Sequence, residues 1–170
     1  CFHSCFDYYK FNPLYDKQIY MDRQKFRSVL DFAIEREKEA VKFYNDLIKR
    51  TKSFDIMETI RTIELMERNH IAIIEKMKNQ EIGDVLIRPV NDLKISEYLV
   101  RPEEKTPDNY QDLLITAMKR EELSHKLYLS LAEEVEAPEV KKVFQKLASE
   151  EAMHKLTFEK LYDSDILKEN

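Results

Sequence analysis

A chain of 170 residues with 43% apolar side chains is long enough to bury one sizeable core. One glycine and five prolines leave few places for tight turns, while Glu, Lys, Leu and Ile abound, so an all-α fold is expected. The net charge of −5, with both signs interspersed, argues against a nucleic-acid partner, and no stretch reaches the roughly 20 apolar residues that cross a bilayer.

Residues 1–20 read as an N-terminal extension ahead of a helical unit over 21–170, or as a segment packed on its surface. Their opening, CFHSCFDYYKF, lacks the continuous apolar stretch of a secretory signal, so a cytoplasmic protein is expected. Cys1 and Cys5, spaced C-x3-C, fit a frayed leader better than a disulfide or a metal-ligand pair. His3 in this leader reads as a surface group.

Helix one is predicted from about Asp22, a plausible N-cap, to Thr51. Its apolar seam runs Phe26, Leu30, Ala33, Glu37, Ala40, Tyr44, Leu47, in alternating steps of four and three that define one helix face. Glu37 interrupts that stripe. A short connection over 52–54 leads to helix two, 55–79, opened by a capping box of Asp55 and Glu58. Its seam is Ile56, Ile60, Ile63, Glu67, His70, Ile74, Met77. Residues 80–107 form the one long irregular stretch, with DLKISEYLV at 92–100 as a short turn or edge segment. A helix of about 27 residues is about 40 Å long, a span that some 30 extended residues recross easily, so helices two and three can lie parallel.

Helix three is predicted over 108–135, with Asp108 and Gln111 as a capping box and the seam Tyr110, Leu114, Ala117, Glu121, Ser124, Tyr128, Leu131. After the break at Glu136-Ala137-Pro138, helix four runs over 138–162 with Pro138 in its first position. Its seam is Val140, Phe144, Leu147, Glu151, His154, Phe158, Leu161. The second pair of helices repeats the first at an offset of 84: Glu37, Glu67 and His70 return as Glu121, Glu151 and His154. The expected fold is two antiparallel hairpins joined by one long crossover.

Four carboxylates and two imidazoles thus point into one core. Burying a lone carboxylate is unfavourable by several kcal/mol or more, and crowding like charges adds to it. Two divalent cations would offset four carboxylates, leaving neutral imidazoles to donate lone pairs. One Glu from each of two helices and Glu-x-x-His from each of the other two is the di-iron or di-manganese arrangement of ferritin-like bundles. Glu35, Glu39, Glu64, Glu122 and Glu150 lie off the seams and read as solvated surface charges, as does His125.

The motifs EREKEAVKFY and MERNH, then KREELSHKLY and SEEAMH, resemble those of the rubrerythrin-like group of the ferritin-like di-iron superfamily over roughly residues 26–162. The resemblance implies metal ligands at Glu37, Glu67, His70, Glu121, Glu151 and His154, with Tyr44 and Tyr128 bonded to ligating carboxylates. It also implies two iron ions, with manganese and zinc as alternatives. The implied activity is a non-haem oxidoreductase acting on peroxide, dioxygen or ferrous iron, and the implied assembly a homodimer. Iron binding or sequestration without turnover is the alternative. Two departures stand out. Rubrerythrins proper carry a further ligand Glu three residues after the helix-three Glu, where this chain has Ser124. Their four-Cys rubredoxin domain has no counterpart in these 170 residues, so an external electron donor such as a rubredoxin is expected.

Overall fold

In a computed structural model, residues 23–79 and 109–166 are described, and among them four α-helices account for nearly everything. They are α1 (Arg23–Arg50), α2 (Phe54–Asn79), α3 (Tyr110–Glu134) and α4 (Pro138–Asp165). The leader with Cys1, His3 and Cys5, the Asp22 cap, the 92–100 segment and the crossover 80–107 lie outside the described residues.

The termini of these helices are set locally. At the end of α1 the Thr51 hydroxyl and N–H both donate to the Leu47 carbonyl, at 2.9 and 3.0 Å, and Lys49 and Arg50 place positive charge at the negative end of the helix. The Ser53 carbonyl accepts the first bond of α2, from the Met57 N–H at 3.0 Å, so Ser53 is the N-cap. The expected Asp55–Glu58 box does not form: Asp55 lies inside the first turn and Glu58 pairs with Arg61 at 2.6 Å. At α3 the cap is Asn109, not Asp108, with its side-chain oxygen accepting from the Asp112 N–H at 2.8 Å. Gln111, free of a capping role, instead donates to the Tyr162 hydroxyl at 2.9 Å. Pro138 opens α4 as expected, where its missing N–H removes a donor that has no partner in a first turn. This helix continues one turn past Tyr162 to Asp165, whose carboxylate accepts from Tyr110 at 3.3 Å.

Packing follows the seams. One apolar cluster joins Phe26, Leu30 and Ala33 of α1, Ile74 and Met77 of α2, Tyr128 and Leu131 of α3, and Phe144 and Leu147 of α4. A second joins Tyr44 and Leu47, Ile60 and Ile63, Leu114 and Ala117, and Phe158. The start of α1 therefore shares one end of the bundle with the end of α2, the end of α3 and the start of α4. Helices α1 and α2 pack as one antiparallel hairpin and α3 and α4 as another, while α2 and α3 run parallel. This is an all-α four-helix bundle whose chain must change ends between Asn79 and Asn109. The two clusters plug the bundle at either end of a middle layer, and that layer is polar.

Glu64 departs from expectation. It is 5% exposed, not solvated, and accepts from Asn45 Nδ2 at 2.9 Å and Arg68 Nε at 2.7 Å. Asn45 on α1 supplies a donor across the helix pair, which makes burial of the carboxylate tolerable. Glu64→Ala removes one of the two acceptors of the Asn45 amide, which keeps the Val41 carbonyl at 2.8 Å, and is expected to destabilise the fold by about 1 kcal/mol, read as a lower midpoint in urea.

Candidate metal centre

Each helix contributes to the middle layer from its seam. Glu37 comes from α1, Glu67 and His70 from α2, Glu121 from α3, and Glu151 and His154 from α4, each no more than 3% exposed. The Glu and His of each Glu-x-x-His pair share a face because positions three apart on a helix lie one above the other. His70 Nδ1 sits 3.1 Å from Glu67 and 2.9 Å from Glu151, with Glu37 at 3.9 Å. His154 Nδ1 sits 2.9 Å from Glu67 and 3.5 Å from both Glu121 and Glu151. The two imidazoles lie nearly parallel, with centroids 5.7 Å apart.

Those distances are short, yet the contacts lack hydrogen-bond directionality. Both Glu67 oxygens, Glu151 Oε1, His70 Nδ1 and both ring nitrogens of His154 are buried without a hydrogen-bond partner among the described residues. Buried polar atoms are nearly always bonded, so a group of them turned toward shared space marks a place where something else completes their coordination. Two sets of ligand atoms lie within 4.8 Å of one another: Glu37, Glu67, His70 and Glu151, and Glu67, Glu121, Glu151 and His154. Glu67 and Glu151 belong to both. Each set has one private carboxylate, one imidazole and two shared carboxylates. Carboxylate oxygen and imidazole nitrogen suit a divalent transition metal.

The electrostatics carry the same signature. Burial raises the pKa of Glu37 and Glu121 well above the usual carboxylate range, reinforced by the charge of Glu151. Burial works against a charged imidazole too, but the close Glu151 and Glu67 carboxylates hold His70 up at about 10. Glu121, Glu151 and Glu67 hold His154 up at about 12. Glu151 is lowered, its desolvation outweighed by the closeness of Glu121, His154 and His70. Without cations the layer keeps itself close to neutral by holding protons; cations would take the place of those protons.

The two tyrosines behave differently. Tyr128, fully buried, donates from its hydroxyl to Glu37, so it serves the opposite hairpin, not the Glu121 of its own helix. Tyr44 stacks on Phe158 at 5.3 Å, and its hydroxyl is buried without a partner among the described residues. Tyr44 therefore does not make the expected bond to a carboxylate.

Two residues read as surface groups are partly buried, and one of them touches the centre. Glu150, 22% exposed, places Oε2 3.0 Å from His70 Nε2, the nitrogen facing away from the cluster. His125 is half-buried, its Nδ1 2.6 Å from the Ala148 carbonyl. A signal for both existed in the repeat: the positions echoing Glu150 and His125 are Met66 and Val41, apolar residues of a core margin. Glu122 is a surface charge as expected, with Lys126 and Lys155 holding its carboxyl down at about 2.

A four-helix bundle of two hairpins, carrying one carboxylate on each of two helices and Glu-x-x-His on each of the others, defines a ferritin-like protein with a centre able to hold metal. The rubrerythrin family model matches residues 28–162, and the chain belongs to the rubrerythrin family. Among solved structures, a hypothetical protein from Pyrococcus furiosus is similar at 28% identity and a TM-score of 0.63, covering 81% of this chain and 87% of that one. No curated relative matches the chain. No helix among the described residues is long and apolar enough to cross a membrane.

Proposed function

We propose that this protein is a non-haem di-iron oxidoreductase of rubrerythrin type, reducing peroxide or oxidising ferrous iron in the cytoplasm and re-reduced by an external donor such as a rubredoxin. The observation that carries the reading is the pair of ligand sets sharing Glu67 and Glu151. Glu37 and His70 would hold one ion and Glu121 and His154 the other, with Glu67 and Glu151 common to both sets. Bound iron supplies accessible oxidation states and exchangeable coordination positions, though manganese and zinc accept the same ligands. The chain's own residues do the positioning: Glu150 orients His70, Tyr128 holds Glu37, and the apolar layers at either end keep bulk water out.

Elemental analysis and an optical spectrum of protein purified without added metal test the iron pair. Rapid oxidation of the reduced, iron-loaded protein by stoichiometric peroxide tests the activity, and an iron-loaded protein inert to peroxide would remove it. Ser124, where rubrerythrins proper have a further ligand, favours a second reading, iron binding without turnover. Light scattering then separates a homodimer from the many-subunit shell that ferritin-type storage requires.

Glu150→Ala frees the outer nitrogen of His70 and is expected to weaken metal binding about 10–100-fold, with the larger effect on the ion held by Glu37 and His70. Competition against a chelator of known affinity measures this, and unchanged affinity would show that Glu150 is a bystander.

A further inference from the structure

Arg36 and Arg120 occupy echoed positions, each one residue before a carboxylate of the centre. Both line a cleft between α1 and α3 whose walls include Ala40 and Ser124, also echoed positions, and which reaches Glu121 and Glu151. Aromatic faces hold both guanidiniums: Arg36 lies 5.5 Å from the centroid of Phe32, and Arg120 5.2 Å from that of Phe43. Stacking fixes the planar groups without using their N–H donors. Arg36 pairs with Glu39 through Nη2, and the same carboxylate is the opposing charge felt by Arg120. Two cations therefore face one anion, and the Nε atoms of both arginines are buried without an acceptor among the described residues. Arg120 registers the imbalance, its pKa lowered by burial and by the charge of Arg36 despite Glu39.

A pair of arginines with a purely structural task would be expected to turn these donors to carboxylates or to water. Here they border a narrow space, with room for about one water-sized molecule between the side chains, kept open by the small Ala40 and Ser124. A carboxylate at position 124 would neutralise the arginines; a serine leaves them positive. We propose that Arg36 and Arg120 form a binding site for a small monoanion, two or three atoms long, in the cleft between α1 and α3 that reaches the centre at Glu121 and Glu151. The guanidinium site stands on its own geometry. That its anion lies beside a metal pair rests on the proposed function above, since bound cations neutralise the carboxylates that would otherwise repel it.

Azide, a linear monoanion, is the probe. It is titrated into the full chain in metal-free and zinc-loaded form, zinc being diamagnetic, while the Nε–Hε resonances of the arginines are followed by NMR. Saturable shifts at Arg36 and Arg120 are expected, tighter in the zinc-loaded protein, with Arg61, exposed and paired to Glu58, unmoved. Arg120→Gln should abolish the saturable shift at Arg36. Arg120→Lys, which keeps the charge but not the fork, should weaken binding about tenfold. No saturable shift in either form, or shifts equal to that of Arg61, would overturn the site. Should zinc fail to bind, the metal centre is refuted separately, and the metal-free titration alone decides the cleft.

Discussion

Replacing Glu67 with alanine is expected to empty both metal positions at once, whereas replacing Glu37 should weaken one and spare the other. The difference follows from geometry: Glu67 belongs to both ligand sets and Glu37 to one. Loss of a bridging carboxylate also leaves two cations facing each other with one shared anion fewer, so each destabilises its neighbour. The effect on folding is correspondingly large. A ligand at about a thousand times its Kd stabilises by about 4 kcal/mol per site, and a domain of this size gains about 2–4 °C per kcal/mol. Two ions should therefore raise the wild-type melting temperature by on the order of 15–30 °C, and Glu67→Ala should melt at one temperature with or without metal. Elemental analysis after dialysis, paired with calorimetry, reads both quantities. A Glu67→Ala protein that retains one ion per chain would show that the carboxylate does not bridge.

The bundle was legible because its seams are long and strictly periodic, and all four carry their polar residues at matching heights. Twenty-eight seam positions cannot face two ways at once, so helix orientation followed from spacing. Helix ends were less legible. Asp55 and Asp108 have cap chemistry, but Ser53 and Asn109 stand one or two residues away with equal claim, and the choice depends on where the loop backbone turns. The missed polar residues share a cause. Glu64, Glu150 and His125 each sit one residue, about 100°, off a seam, where the other helix of a pair or the facing hairpin decides exposure. Their echoes, Ala148, Met66 and Val41, are apolar, whereas the echoes of Glu35 and Glu122 are Lys119 and Lys38. Glu39 faces Leu123 and stays exposed, so an apolar echo marks a margin position without deciding burial; the partner decides it, and sequence spacing alone does not name the partner. The tyrosines teach the converse. Tyr44 and Tyr128 are equivalent in the repeat, yet only Tyr128 reaches a carboxylate, because side-chain rotamers need not obey the symmetry of the backbone.

The metal-free bundle is expected to lose stability as pH rises from about 5 toward 10, while the metal-loaded bundle does not. His70 and His154 are held at about 10 and about 12, above their ordinary 6.5, so the folded chain binds these protons more tightly than the unfolded chain. Their stabilisation is complete below pH 6.5 and disappears as pH rises through the folded values. Glu37 and Glu121 act in the same direction from lower pH, since burial raises both above 4.5 and the fold must surrender or bury the charge as they ionise. Glu151 runs the other way. Its carboxyl is lowered, so its contribution is present above 4.5 and lost in acid, which sets the acid-side limit of the metal-free stability. Metal binding reverses the trend because cations displace these same protons, and displacement becomes easier as protons grow scarce. The gap between loaded and metal-free melting temperatures should therefore widen steadily with pH, by on the order of several kcal/mol of stability between pH 6 and 9. Calorimetry of both forms across that range measures it. A gap that stays constant would mean that the ions and the protons do not compete for the same six side chains.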